Sequence, residues 1–203
     1  MLLAPFPVFY RAFQSGKKAK GAFFHVHGGP SDQMGRYWRP EAQFFLSQGY
    51  DYISVNYRGS SCRGRDYLNS LNGSWGVLDV DDLNNVCQDM IRKGLISSEN
   101  LFILGGSAGG FTVLSALTRN ESLWTAGLCL YGISDLVHLE EKGHRFEKGY
   151  TGILLGSNNT SDPVWKERSV LFKAVKINKP LLLFHGEKDP VVPISQARKL
   201  YER

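Results

Sequence analysis

One serine of this chain lies in a glycine pattern that can expose a nucleophile. The pattern reads Gly-Gly-Ser-Ala-Gly at residues 105–109 and follows the apolar run 101–104. Small residues on both sides of Ser107 let a strand and a helix approach closely, so that a sharp turn can hold the hydroxyl clear of the sheet edge. The pattern favours nucleophilic catalysis by Ser107. A glycine-rich turn with a passive serine is the alternative, since the chain contains 22 glycines.

A second segment, placed earlier in the chain, could stabilise negative charge beside that serine. Residues 22–30 read as an apolar strand that ends in His-Gly-Gly-Pro. Backbone N–H groups of Gly28 or Gly29, together with that of Ala108, could form an oxyanion hole, since such donors are fixed before charge develops. His27 is open to a plainer interpretation, a loop histidine with a satisfied hydrogen bond.

An acidic residue in the right order follows in residues 180–193, an apolar strand that ends in a polar loop. Asp189 comes after the serine, in the order serine, acid, histidine that is typical of one class of hydrolases. Such an acid orients a histidine that removes the serine proton. Taken singly, Asp189 could equally belong to a Lys-Asp-Pro turn.

The histidine that such a set needs is missing after Asp189, because the last histidine is His185. His25, His27 and His185 fall on predicted strands or strand ends, and His138 and His144 fall in the segment before Asp189. A substitute base from that segment would have to fold back over the site. Without a base we expect the chain to be nearly silent, since loss of triad members costs roughly 10⁶ in kcat.

The elements that must position these residues alternate along the chain. Strands are predicted at 22–26, 52–56, 101–105, 127–131 and 181–185, and helices at 37–47, 79–93 and 109–118. Alternation of this kind predicts an α/β fold, a mainly parallel sheet with helices on both faces. Asp79, Asp81 and Asp82 are interpreted as first-turn acids of a helix, and Arg58 as a structural ion-pair residue.

The chain resembles the catalytic domain of the prolyl oligopeptidase family of serine peptidases over about residues 20 to 200. The resemblance is carried by His-Gly-Gly-Pro at 27–30, Asn-Tyr-Arg-Gly-Ser at 56–60, Trp75-Gly76 with Asp81-Asp82, the glycine pattern at 105–110, and residues 185–193. The acylaminoacyl-peptidase and dipeptidyl-aminopeptidase branches are the most similar. The resemblance implies an α/β-hydrolase fold with Ser107 as nucleophile, Asp189 as orienting acid, and Gly28, Gly29 and Ala108 around the oxyanion.

The chain departs from that family in what flanks the resemblance. Members carry an N-terminal propeller, and their catalytic histidine follows the acid by some tens of residues, whereas this sequence ends at Arg203. We therefore expect a lead-in at 1–20 and an incomplete hydrolase domain at 21–203, without the final strand and helix. Strand 181–185 would then lie at a sheet edge and could pair with a second copy, giving a homo-oligomer.

The expected function is that of a serine peptidase that hydrolyses short peptides through an acyl-enzyme at Ser107. A catalytically silent binding or assembly module is the alternative from another class, and a carboxylesterase is the alternative among enzymes. Glu147 could bind the amino terminus of a substrate, although a solvated helix acid is the plainer interpretation.

Composition sets the remaining expectations. Hydrophobic residues make up 42% and aromatic residues 12%, as in a single globular domain. The net charge of +5 is spread over the chain, so no nucleic-acid partner is expected. No metal or other cofactor is expected. Three cysteines, with no signal peptide and no apolar run long enough to span a bilayer, predict a cytoplasmic protein without a membrane partner.

Overall fold

A computed structural model describes residues 7–13, 18–143 and 148–203, without the side chain of Cys62. Within these ranges the core is a six-stranded sheet in the order β1-β3-β2-β4-β5-β6. The strands are β1 (Val8–Arg11), β2 (Ala22–Val26), β3 (Asp51–Val55), β4 (Leu101–Gly106), β5 (Ala126–Leu130) and β6 (Leu181–Phe184). All neighbouring strands are parallel except β1, which pairs antiparallel with β3.

The helices follow the strands in alternation over much of the chain. They are α1 (Pro40–Ser47), α2 (Arg65–Asn69), α3 (Leu78–Arg92), α4 (Ala108–Leu117), α5 (Leu136–Lys142), α6 (Tyr150–Leu155), α7 (Pro163–Arg168) and α8 (Ser195–Tyr201). Short 3₁₀ helices occupy Ser61–Arg63 and Val170–Lys176. This order confirms the predicted α/β class.

Helices cover both faces of the sheet, as predicted. On one face, Phe24 of β2 and Ile103 of β4 belong to a large core with side chains from α3 and α4. On the other face, Phe23 packs with Tyr52 and with Ala42 of α1 in a smaller cluster. Successive residues of a strand point to opposite faces, which is why neighbours such as Phe23 and Phe24 contribute to different clusters.

The predicted elements are recovered with small shifts at their ends. The boundaries of β2 agree, and the other predicted strands and helices α3 and α4 are displaced by one residue. Helix α1 begins at Pro40 rather than at Tyr37, because proline fits the first turn of a helix, and Trp38 stays 72% exposed. Strand β1 was not predicted and lies inside the segment 1–20 that was expected to be a lead-in.

Strand β6 lies at the sheet edge, and its two faces differ in burial. Leu181 and Leu183 pack against the main core, whereas Leu182 is 55% and Phe184 54% exposed. A groove of about 480 Å³ runs along this edge. Its lining is Ala174, Val175, Ile177, Leu181, Leu183, Leu200, Tyr201 and Arg203. In the part of the chain that the structure describes, no helix has the length and apolarity needed to cross a membrane.

Candidate functional site

Ser107 forms the turn between β4 and α4 and holds a strained backbone. Its φ is 55° and its ψ −123°, a combination rare for residues other than glycine. The N–H of Ser107 donates to the carbonyl of Leu130 at 3.1 Å, and its carbonyl accepts from Phe111 N–H at 3.1 Å. A Cβ on Gly109 would lie 2.3 Å from the carbonyl oxygen of Val26, so the helix can start here only with glycine at that position. The predicted strand–turn–helix geometry at Ser107 is therefore present.

The predicted oxyanion loop reaches this turn. A Cβ built on Gly28 would lie 3.5 Å from the Cβ of Ser107 and 3.2 Å from the carbonyl oxygen of Gly106. Ala108 is the first residue of α4, directly after the serine. Gly29 has a φ of 111° and precedes a cis peptide bond to Pro30. The fold thus brings Gly28 next to Ser107, which Ala108 directly follows.

The imidazole of His27 is hydrogen-bonded within this loop and to Ser60. Its ring nitrogens lie 2.7 Å from Ser60 Oγ and 2.8 Å from the carbonyl oxygen of Gly28. The Tyr57 hydroxyl donates to the carbonyls of His27 at 2.9 Å and Pro30 at 3.2 Å, and its ring stacks on the imidazole. Burial lowers the pKa of His27, which favours the neutral ring. The imidazole is therefore a buried, hydrogen-bonded support of the loop, as in the plainer interpretation of this histidine.

A buried carboxylate, that of Asp79, is hydrogen-bonded to helix α4, which begins directly after Ser107. Asp79 is fully buried and accepts from Gly76 N–H at 2.7 Å and from the Thr112 hydroxyl at 2.5 Å. Thr112 lies in α4, five residues after Ser107. Burial raises the pKa of Asp79 to about 6. This support was missed in the sequence, where Asp79 appeared only as a first-turn acid of α3.

Asp189 lies in the loop after β6, and the loop backbone holds one of its carboxylate oxygens. Oδ1 accepts from Val191 N–H at 2.9 Å and from Val192 N–H at 3.0 Å. Oδ2 lies 3.9 Å from His185 Nε2, which is itself 2.7 Å from the carbonyl oxygen of Val192. The Asp189 side chain is 18% exposed. The carboxylate is thus oriented by two N–H donors and keeps one oxygen for a further partner.

Ser107 and Asp189 belong to the same end of the sheet. Strands β4, β5 and β6 are parallel neighbours, with Gly106, Leu130 and Phe184 in register. Since the serine follows β4 and the acid follows β6, both lie at the carboxyl ends of their strands. Tyr131, which follows β5, lies between them in the sheet order, and its N–H donates to the carbonyl of Phe184 at 2.6 Å. In α/β proteins, binding and catalytic sites lie at this end of the sheet, outside the carboxyl ends of the strands.

The other described histidines lie in different surroundings. His25 lies on β2, and burial lowers its pKa to about 3. His138 Nε2 lies 2.8 Å from Ser195 Oγ. None of His25, His27, His138 and His185 is hydrogen-bonded to Ser107. His144 and the predicted substrate residue Glu147 lie outside the described residues.

Metal-binding clusters of three or more histidine, cysteine or acidic side chains do not occur within the ranges that the structure covers. Cys87 and Cys129 are free and buried, and burial raises the pKa of both thiols to about 12. These cysteines therefore pack as small apolar residues.

A mainly parallel sheet, with helices on both faces and a strained serine at a strand–helix turn, defines an α/β-hydrolase. The chain belongs to the prolyl oligopeptidase family, whose sequence profile matches residues 36–203. The resemblance drawn from the sequence motifs is therefore confirmed.

The chain is similar in sequence to curated peptidases. Dipeptidyl aminopeptidase BIII of Pseudoxanthomonas mexicana is 32% identical over 180 residues, which are 86% of this chain and 26% of that protein. Acylamino-acid-releasing enzyme 1 of Oryza sativa is 41% identical over 179 residues, 84% of this chain and 23% of that protein. The chain thus spans about a quarter of the length of the curated relatives it matches.

Solved structures agree on the fold. A puromycin-hydrolyzing peptidase of Mycobacterium tuberculosis superposes with a TM-score of 0.92 at 33% identity, over 98% of this chain and 31% of that one. An acylaminoacyl peptidase of Pyrococcus horikoshii superposes with a TM-score of 0.89 at 28% identity, over 97% of this chain and 32% of that one.

Proposed function

We propose that the chain forms the nucleophile-bearing core of a serine peptidase that acts on short peptides. The observation that carries the proposal is the strained Ser107 at the start of α4, with Gly28 packed against it. Family membership supports it, as do relatives named for dipeptidyl and acylamino-acid release.

In the proposed reaction, the Ser107 hydroxyl attacks the carbonyl carbon of the peptide bond and gives its proton to a histidine. The N–H groups of Ala108 and of Gly28 or Gly29 stabilise the oxyanion. The protonated histidine then passes the proton to the leaving amine, which leaves an ester between the acyl group and Ser107. Water hydrolyses this ester by the same route. Asp189 would orient the histidine through Oδ2, since Oδ1 already accepts two backbone N–H groups.

We further propose that this histidine is none of the four that the structure describes. The His27 ring nitrogens are occupied by Ser60 and Gly28. Nε2 of His138 contacts Ser195, and Nε2 of His185 contacts Val192. His25 is buried along β2. His144 remains the single candidate in this sequence outside the described residues. We propose that the base comes from a part of the whole protein outside these 203 residues, and His144 is the alternative that labelling can test.

Labelling by a fluorophosphonate tests the proposal on the 203-residue chain. We expect slow labelling that is lost in Ser107→Ala, kept in the exposed control Ser98→Ala, and accelerated by added imidazole, which can replace a missing base. Equal labelling of wild type and Ser107→Ala would contradict a nucleophilic Ser107. Fast labelling without imidazole that His144→Ala abolishes would place the base inside this sequence instead.

A carboxylesterase would use the same serine, so substrates must separate the two enzymes. The whole protein should have a higher kcat/KM for acyl-peptides than for simple aryl esters of the same acyl group. The reverse preference would favour the esterase.

A cytoplasmic location is proposed for the peptidase because Cys87 and Cys129 are free and buried, as is usual in a reducing compartment.

A second candidate function is that of an assembly module, and the edge strand β6 favours it. Unpaired backbone groups of an edge strand can pair with another chain, and here the apolar groove and the exposed Leu182 and Phe184 adjoin that edge. Sedimentation velocity should show a dimer that Leu182→Lys dissociates, whereas Leu95→Lys, at a position 47% exposed elsewhere, leaves it intact. A monomer at all concentrations would overturn this candidate.

A further inference from the structure

A cluster of positive charge surrounds Lys173. Lys173 lies at a kink in the 3₁₀ segment Val170–Lys176, where its φ is −126° and its ψ 17°. Its side chain is only partly exposed, and burial together with nearby Arg119, Arg168 and Lys176 lowers its pKa. Partly burying a cation among other cations is unfavourable unless an anion compensates it.

The described carboxylates do not supply that anion. Arg119 contacts Asp81 at 3.3 Å, and both side chains are more than 40% exposed. Arg168 is directed elsewhere, since its Nη1 donates to the carbonyl of Trp75 at 2.9 Å. Within the described ranges, the ion pairs do not include Lys173. The cluster therefore retains an excess of positive charge.

A surface depression of about 330 Å³ opens beside this cluster. It is formed by helix α7 and the following 3₁₀ segment, and its lining is Pro163, Lys166, Glu167, Ser169, Phe172 and Lys173. The ammonium group of Lys166 lies 5.3 Å from the centre of the Phe172 ring. The depression thus offers two ammonium groups and an aromatic ring that is 46% exposed, against the single carboxylate of Glu167.

The depression is separate from the candidate active site. Helix α4 runs from Ala108, beside the serine, to Leu117, and Arg119 follows its far end. Ten helical residues span about 15 Å, so Arg119 lies at the opposite end of α4 from Ser107. The lining of the depression includes neither Ser107 nor Asp189.

We propose that this depression binds the phosphate group of a small molecule. Lys173 and Lys166 would contact the phosphate oxygens through charge-assisted hydrogen bonds, and Arg119, Arg168 and Lys176 would add attraction at longer range. Phe172 would pack against the apolar part of the same ligand. A bound phosphate would add the negative charge that Glu167 alone does not balance, since no described ion pair includes Lys173.

Calorimetric titration of the 203-residue chain with pyrophosphate tests the proposal, at an ionic strength held constant with chloride. We expect saturable binding at one site, weakened about tenfold or more in Lys173→Gln and several-fold in Lys166→Gln. Lys142→Gln removes an equal charge from an exposed residue of α5 and should leave the affinity unchanged.

Two results would overturn the proposal. One is the absence of saturable pyrophosphate binding to the wild-type chain, and the other is equal weakening in Lys142→Gln and Lys166→Gln, which would indicate unspecific attraction. Lys166 is exposed, so its variant keeps the test valid if Lys173→Gln does not fold. The readout needs no peptidase activity, so a failure of the proposed function leaves it unaffected.

Discussion

Gly28 and Ser107 are packed so closely that a methyl group on the glycine would lie 3.5 Å from the serine Cβ. The same methyl group would lie 3.2 Å from the carbonyl oxygen of Gly106. Two segments far apart in the sequence therefore meet where the proposed oxyanion would form. In the proposed reaction, a side chain on this glycine would crowd the space beside Ser107 where the substrate carbonyl binds.

Gly28→Ala should fold but should lower the rate of fluorophosphonate labelling at Ser107 by about 10- to 100-fold. The methyl group needs shifts of only a few tenths of an ångström, while small misplacements at a reacting centre cost up to about a hundredfold. Gly186→Ala is the control, because the space around Gly186 is open and its φ lies outside the range that favours glycine. Equal labelling rates in the two variants would refute a role for Gly28 beside the oxyanion.

Ser107→Gly should be more stable than Ser107→Ala by about 1–2 kcal/mol in unfolding free energy. In urea denaturation, its midpoint should therefore lie at the higher concentration. Both variants lose the hydroxyl, but glycine accepts the φ of 55° without strain and alanine does not. At Ser98, in an exposed turn, glycine should give no such advantage over alanine. If Ser107→Gly is no more stable than Ser107→Ala, the backbone at the turn is not strained.

Asp79 should make the protein less stable as pH rises through about 6. An unfolded aspartate has a pKa near 3.9, and burial raises the pKa of Asp79 to about 6, so the folded chain holds the proton more tightly. This contribution is fully present below about pH 4 and is lost as pH rises through 6, a change of about 3 kcal/mol.

The titration of His25 has the opposite effect on stability, because burial lowers its pKa to about 3 and its contribution grows as pH rises from about 3 to 6.5. The pH dependence of the wild type alone therefore does not isolate Asp79. The measurement is therefore a comparison of chemical unfolding between pH 4 and 7 in wild type and Asp79→Asn. The variant keeps an oxygen that can accept from Gly76 N–H. Its unfolding free energy relative to wild type should rise by about 2 kcal/mol between pH 4 and 7, which is most of the full change. A constant difference across the range would show that Asp79 stays ionised throughout.

Arg58→Ala should destabilise the fold by about 3–5 kcal/mol, because it leaves the buried Asp82 carboxylate without its cation. Arg58 Nε and Nη2 lie 2.9 and 2.5 Å from Asp82 Oδ1, and the Arg58 N–H donates to Oδ2 at 2.8 Å. Adding Asp82→Asn should recover part of the loss. Arg92→Ala is the control, because the Arg92 side chain is 76% exposed beside Asp89. This substitution should lower the unfolding free energy by less than about 1 kcal/mol. A similar cost at both positions would contradict the role given to the buried pair.

Local pattern was sufficient for the central strands and for the serine turn. Glycines at fixed spacing around Ser107, after an apolar run, predict a strand–turn–helix because few other residues permit that geometry. Strand β1 was missed because four residues at an edge take their structure from pairing with β3, which sequence pattern does not show.

Contacts between distant segments account for the rest of what was not predicted. Asp79 and Asp82 were interpreted only as helix-start acids, and their partners Thr112 and Arg58 lie 33 and 24 positions away in the chain. The charge around Lys173 arises in the same way, from the end of α4 and a segment some fifty residues later. The roles of these side chains depend on their burial and on distant partners, and residue type alone shows neither.

The order of the strands also gives the two halves of the proposed site different protection from solvent exchange. Ser107 follows β4, which is paired on both sides by β2 and β5. Asp189 follows β6, whose one neighbour among the described strands is β5. Edge segments open locally at lower free energy than central ones. In hydrogen exchange, the amides of β6 and its loop should therefore exchange well before those of β4. The acid could then leave its place and return while the nucleophile turn remains folded.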